Sequence, residues 1–288
     1  MRNRILAIGL LGIGLLGACA ESLAPPKSQT LRVGVDQAFE ETGLAAALRA
    51  GFEQQTQQRV ALVFDTPVNL QKALRNSQLE VLMAGTNSWV KKLEVEGLLV
   101  DSMPIAHEEL VFIGPQEDKF RSHGTKDPVE FLRNVIRSNH LYLRAAKGSV
   151  ESDGHERLAR LNGDRPGGGS ELATKLVGVP FVKEIVRRRA FGLVRRSALV
   201  LAAAEGVKPN RVYQDGKAEL VLPVRFLFLH PSKVHRSGQS SFKTFLTGEL
   251  VRSLVERVGV GRVGLPLYTA GLPKTGEGAI VPQVEPLH

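Results

Sequence analysis

The sequence predicts an α/β fold of two lobes, each with a central, mostly parallel sheet, and an interlobe crevice. Three observations carry this expectation. Short apolar segments alternate with segments of helical period through the first part of the chain. The pattern recurs in the middle, and a late apolar segment is placed to return the chain to where it began. Strand–helix alternation favours parallel pairing, because each helix carries the chain back to the same end of the sheet.

The elements follow in order. Residues 31–35 (Leu-Arg-Val-Gly-Val) form a short strand, and 43–54 carry Leu44, Ala47, Leu48 and Phe52 at helical spacing. Residues 59–64 form a second strand, and 68–77 a helix with Leu70, Ala73 and Leu74 on one face. A buried third strand spans 79–83, followed by a helix over 88–96 that Gly97 ends. Residues 108–114 form a strand closed by Gly114-Pro115. In the middle of the chain Asp127 is a good N-cap and Pro128 suits the first helical position, so 128–138 reads as a helix. Then come a strand at 140–143, a charged helix at 149–161 and a Gly- and Pro-rich loop at 162–169. Residues 170–176 are expected to begin a helix and 180–189 to form another. A short strand at 191–194 precedes a helix at 197–205, ended by Gly206. Residues 224–229 are the returning strand, and 242–258 hold one long or two short helices.

The chain has 288 residues, 43% hydrophobic and 23% charged, which supports packed cores and excludes wholesale disorder. The segment order places one lobe at 31–115 and 225–271 and a second lobe, 116–224, inserted in it. Residues 272–288 form an extended, Pro- and Gly-rich tail.

The N-terminus reads as an address. Arg2 and Arg4 precede an apolar run over 5–18 that suits a signal peptide and is short for a membrane span. The run ends Leu16-Gly17-Ala18-Cys19, which resembles a bacterial lipobox, and Cys19 is the only cysteine of the chain. Its thiol would accept the lipid that anchors the exported protein to a membrane. The plain alternative is a buried Cys following an ordinary signal peptide. Residues 1–18 are thus a leader and 19–30, with Pro25-Pro26, a lipidated tether. Losing Arg2 and Arg4 takes two cations from the +9 of the whole chain and leaves +7.

Several motifs carry no chemistry. Gly12-Ile-Gly14-Leu-Leu-Gly17 lies in the leader, and Gly259-Val-Gly261-Arg-Val-Gly264 follows an expected helix, not the strand a dinucleotide fingerprint needs. The seven His are scattered, and the closest pair, His230 and His235, does not share a helical face, so no metal site or cofactor is expected. One cysteine rules out an intrachain disulfide and a thiolate zinc cluster. Arg187-Arg188-Arg189 reads as a solvated charged face. With 6% aromatic residues, the chain lacks the stacking platforms of nucleic-acid binding, which is excluded as a class. Ser149 or Ser152 with His155 could be imagined as a nucleophile site, but the spacing enforces no Ser–His bond, and no enzyme is expected.

Several stretches, in order, resemble the type II periplasmic solute-binding proteins of ABC importers, and among them the tungstate-binding branch related to phosphate and molybdate binders. They are Leu31-Arg-Val-Gly-Val35, Thr42-Gly43-Leu44, Asp65-Thr66, Gln71-Lys72-Ala73-Leu74, Glu80-Val-Leu-Met83 and Glu109-Leu-Val-Phe-Ile-Gly-Pro115 in the first lobe. Ser152-Asp-Gly-His155, Gly167-Gly-Gly-Ser-Glu171 and Phe191-Gly-Leu-Val-Arg-Arg-Ser197 follow in the second, and Gly264-Leu-Pro-Leu267 closes the match. The resemblance implies a monomeric receptor on the outer side of a membrane, a small-molecule solute and an ABC permease as partner. It implies an oxyanion pocket of hydroxyls and backbone N–H groups at helix N-termini, with an Arg.

At the matching positions this chain departs from that pocket. The hydroxyl-rich turn after the first strand is Asp36-Gln37-Ala38, the turn after the second is Asp65-Thr66-Pro67, and Arg144-Ala145 replaces a Ser-Arg pair. Thr66, Ser152 and Arg196 stand where donors would. The candidate ligand-binding residues are therefore Asp36, Gln37, Asp65, Thr66, Arg144, Ser152 and Arg196, with Cys19 for lipidation. The expected solute is thus a tungstate-like oxyanion or, because carboxylates beside a desolvated oxyanion oppose it, a zwitterionic or amine-bearing solute if Asp36 and Asp65 face the crevice. If they are N-caps or turn formers facing solvent, that expectation falls. The alternative function is a ligand-free scaffold acting as an envelope interaction or sensory lipoprotein.

Overall fold

A computed structural model describes residues 30–115, 127–163, 170–208, 211–214, 220–232 and 236–271. The leader, Cys19, the tether up to residue 29, Gly167 to Gly169, His235 and the tail lie outside the described residues.

Among these residues ten strands form one mixed sheet. The strands are β1 (Leu31–Asp36), β2 (Val60–Asp65), β3 (Val81–Gly85), β4 (Leu99–Gly114), β5 (Tyr142–Arg144), β6 (Glu171–Ala173), β7 (Phe191–Arg195), β8 (Arg211–Gln214), β9 (Val221–Leu229) and β10 (Thr269–Ala270). Their order is β2-β1-β3-β9-β4-β7-β5-β6, with β8 and β10 also on β4. The fold is the expected two-lobed α/β architecture. β2, β1 and β3 are parallel in one half, and β7, β5 and β6 in the other.

The long strand β4 joins the halves. Its residues up to Glu109 pair antiparallel with β9, and those from Leu110 pair with β7. Pro104, which has no N–H to donate, sits at a shift in the β4–β9 register. The sequence showed only the buried end of β4, from Glu108. The first part is mostly exposed, with Val100, Asp101 and Ser102 in succession, and lacks a continuous apolar run.

The helices are α1 (Leu44–Thr56), α2 (Pro67–Arg75), α3 (Ser88–Val95), α4 (Pro128–Arg137), α5 (Val150–Leu161), α6 (Gly178–Arg188), α7 (Arg196–Ala204), α8 (Arg236–Leu246), α9 (Glu249–Arg257) and α10 (Val260–Val263). A 3-10 turn, Gln37–Thr42, follows β1. Among the described residues no helix is long and apolar enough to cross a membrane. The segment expected as one long or two short helices is two, α8 and α9. The helix expected from residue 170 is instead the edge strand β6. Its register with β5, Tyr142 opposite Glu171 and Arg144 opposite Ala173, satisfies backbone groups that local helical preference would have used otherwise.

The apolar face expected on α1 is the centre of the first lobe. Leu44, Leu48 and Phe52 are buried there, and the Phe52 ring meets Phe242 and Phe245 edge-on at centroid distances of 5.0 and 5.5 Å. The second lobe holds Phe131 against Phe112 at 4.9 Å and against Tyr213 at 5.3 Å. Arg187 and Arg188 form ion pairs with Glu184 on an exposed face of α6, as a solvated charge run should.

Candidate functional site

Helix N-termini from both lobes meet where the halves of the sheet join. In the first lobe the ends of β1, β2 and β3 lead into the 3-10 turn, α2 and α3; in the second, β5 leads into α5 and β7 into α7. Such N-termini present unpaired N–H groups and a partial positive charge. In this chain carboxylates and hydroxyls of the protein take many of them. Asp36 Oδ1 accepts from the Ala38 N–H at 3.1 Å. Asp65 Oδ1 accepts from the Thr66 N–H at 2.7 Å and from the Asn69 amide at 2.8 Å. Thr66 Oγ1 caps α2 by accepting from the Asn69 N–H, and Ser149 Oγ caps α5 by accepting from the Ser152 N–H at 3.1 Å.

Two of these contacts cross between lobes. Asp153 of α5 accepts from the Ser88 N–H at the start of α3. Glu41 of the 3-10 turn accepts from the Val179 N–H in the first turn of α6 at 2.8 Å. Gly178 makes the second approach possible: a Cβ there would fall 1.9 Å from Glu41 Oε1, and its φ of +61° suits glycine.

A buried ion network lies at the centre. Arg195, the last residue of β7, is fully buried (0% exposed). Its Nε donates to Glu151 Oε1 at 3.0 Å, its Nη1 lies 3.6 Å from Glu108 Oε1, and its guanidinium sits 5.3 Å from the Phe39 ring centroid. Glu108 Oε2 also accepts from Ser197 Oγ at 2.6 Å. Burial works against the charge on Arg195, but Glu151 and Glu108 outweigh it and hold the guanidinium protonated. Burial raises the Glu108 carboxyl above the usual carboxylate range despite Arg195 and Ser197.

Asp36 belongs to the same network. It is 2% exposed, and burial pushes its carboxyl up to about 6, against the Ala38 N–H and Arg195 and with Glu151 and Asp153 adding to the rise. Its ordinary value is 3.8, so the native state holds the proton more tightly than the unfolded chain does. The stability this gives is fully present below about pH 4 and is lost as pH rises through about 6. Asp36→Asn keeps an acceptor for Ala38 and removes the buried charge. We expect it to raise stability at pH 7.5 by about 1–3 kcal/mol, with little change at pH 4. Urea unfolding at the two pH values checks this; an equal loss at both would contradict it.

The register sets Asp36 beside Asp65, and Thr66 follows as the cap of α2. Gln37 opens the 3-10 turn, half-buried. Asp36 and Asp65 do act as turn and cap formers, yet Asp36 does not face solvent. The other candidates have partners of their own. Arg144 pairs with Glu171 at 3.4 Å, and Arg196, at the start of α7, pairs with Glu109 at 3.5 Å. Ser152 is buried, its N–H on Ser149. His155 stacks on Tyr142 at 4.9 Å and lies 3.4 Å from Glu171, so the imagined Ser–His pair does not form. Among the described residues no three His, Cys, Asp or Glu side chains are placed to hold a metal ion.

The sequence reading missed Arg195, Glu108, Glu151, Glu41 and Asp153. Arg195 had one available signal: it ends a short apolar strand, where an α/β sheet presents its ligand-facing residues. The acids had none, because their partners lie far along the chain.

The profile of a family described as bacterial extracellular solute-binding protein matches residues 41–257. No curated protein matches the chain. A solved structure of the tungstate ABC transporter from Geobacter sulfurreducens aligns with a TM-score of 0.67 at 17% identity, covering 78% of this chain and 97% of that one. The tungstate-binding protein TupA from Desulfovibrio alaskensis aligns with a TM-score of 0.72 at 13% identity, covering 85% and 99%. A hydrogen peroxide-bound OxyR mutant from Corynebacterium glutamicum aligns with a TM-score of 0.58 at 14% identity, covering 82% and 67%. At these identities the likenesses concern the fold, which proteins of different function share.

Proposed function

We propose, on the premise that this chain belongs to the bacterial extracellular solute-binding protein family, that it captures a small zwitterionic or amine-bearing solute for an ABC-type importer. The observation that carries this reading is the excess of acid over base buried where the lobes join: Asp36, Glu108 and Glu151 lie around the guanidinium of Arg195. A solute ammonium would offset that excess near Asp36 and Asp65, with Gln37 and Thr66 beside them. A solute carboxylate would meet Arg195 at Nη2, which has no hydrogen-bond partner among the described residues, while Nη1 faces Glu108 at 3.6 Å. A tungstate-like dianion would add negative charge to this acid-rich crevice, opposed by on the order of several kcal/mol where desolvated.

In this reading Arg195 replaces Arg144 and Arg196 as the anion-facing cation, and Ser152 supports the N-terminus of α5. The lobes divide at 31–115 with 225–271, and 116–224. Cys19 carries the lipid anchor, the receptor works as a monomer beside its permease, and no chemical step is catalysed.

Calorimetric titration with amino acids, polyamines, tungstate, molybdate and phosphate tests the proposal. Saturable heat is expected from an amine-bearing solute, and Asp36→Asn should weaken that binding at least tenfold. Nanomolar binding of tungstate would overturn it. The carboxylates already on helix N-termini favour a second reading, a solute-free scaffold. That reading requires no heat from any solute.

A further inference from the structure

Asp153 of the second lobe caps α3 of the first, and Glu41 of the first lobe caps α6 of the second. The two bonds run in opposite directions across the same crevice. Each puts a carboxylate where the partial positive charge of a helix end attracts an anion. Close backbone approach accompanies both. Gly85, ahead of α3, faces Val150 of α5 so closely that a Cβ would lie 2.7 Å from its Cγ1, and Gly178 admits Glu41. On the rim, Arg262 donates to the Glu41 carbonyl oxygen at 3.0 Å and pairs with Glu205, at the end of α7, at 3.2 Å.

We infer that Glu41 and Asp153 are specificity-determining residues: built-in anions that latch each lobe to the other's helix N-terminus and exclude an oxyanion solute from those N–H groups. Two consequences follow from the chemistry. Closure of the crevice needs no negative charge from a solute, because the protein supplies it from both sides. An inorganic oxyanion must displace a carboxylate held in place by the chain, whereas a cationic group meets no such competition. The inference deepens the proposed solute class, but it depends only on the crossed carboxylate contacts.

The test uses the purified full-length chain, dialysed free of small solutes, and the double variant Glu41→Ala/Asp153→Ala. Small-angle scattering should give a larger radius of gyration for the variant than for the parent. Emission of Trp89, the only tryptophan and one residue from Ser88, should shift to the red as water reaches α3. Titration with tungstate and sulfate should show binding to the variant at least tenfold tighter than to the parent. Circular dichroism confirms that the variant is folded. Gly178→Ala, which disturbs one latch while keeping both carboxylates, should enlarge the radius by a smaller amount. Equal radii for parent and folded variant would overturn the latch, and equal tungstate affinity would overturn the exclusion. Failure of every amine-bearing solute to bind would sink the proposed function alone and leave the scattering difference standing.

Discussion

Arg195→Leu is expected to cost about 3–5 kcal/mol of folding stability, the usual scale for removing one partner of a buried ion network. The guanidinium is fully buried and faces Glu151 at 3.0 Å and Glu108 at 3.6 Å. Leucine, apolar and shorter than arginine, would leave both carboxylates, and Asp36 near them, without a cation. They would then take up protons or draw in water, and either outcome loosens the junction between β4, β7 and α5. Arg195→Lys should cost less but not be neutral. A compact ammonium cannot reach both carboxylates with the fixed fork of a guanidinium. Equilibrium unfolding in urea measures both variants. The Leu variant should also lose less stability at pH 5 than at pH 8, because protonation relieves the uncompensated acids. A loss under about 1 kcal/mol at pH 8 would mean that the network is solvated and that its charges do not depend on one another.

Phe52→Ala is the second large effect, expected at about 3–5 kcal/mol by the usual cost of truncating a buried aromatic side chain. The ring fills the space between α1 and the returning helix α8, with edge contacts to Phe242 at 5.0 Å and Phe245 at 5.5 Å, while Phe242 meets Phe226 at 5.1 Å. Alanine removes the shared partner of two aromatic contacts and leaves a cavity that the remaining rings, on α8 and β9, cannot easily close. Amide exchange should then speed up in α1, α8 and β9 and stay slow in α4 and β7, which pack around Phe131 in the other lobe. Uniform acceleration through both lobes would show that they unfold as one unit.

These two residues differ in how they could be found. Phe52 was legible from the spacing of Leu44, Ala47 and Leu48 before it, because helical period and apolarity are local properties of the chain. The placement of Asp36 and Asp65 at strand ends was legible for the same reason, and so was the capping of α4 by Asp127. The strand β6 was not. Ser170-Glu-Leu-Ala reads as helix by composition, and pairing with β5 decided otherwise. The full length of β4 was hidden because its first part is mostly exposed, from Val100 to Ser102, and includes Pro104.

The site was legible only in part. The sequence pointed to Arg196, and the tertiary structure buries its neighbour Arg195 instead. A basic pair after a short strand does not say which member faces inward; the register of β4 with β7, Leu110 opposite Arg195, decides that. The acids around it lie far away in sequence, Glu151 by 44 positions, while Glu41 meets Val179 across 138. By itself the sequence determined the alternation that builds two lobes, their apolar faces and the export address it predicts. Only the tertiary structure decided which charges are buried together and which helix ends are already capped. The first set depends on residues a few positions apart, whose backbone period brings them onto one face. The second depends on groups that become neighbours only when the lobes meet, and burial then fixes their protonation and their partners.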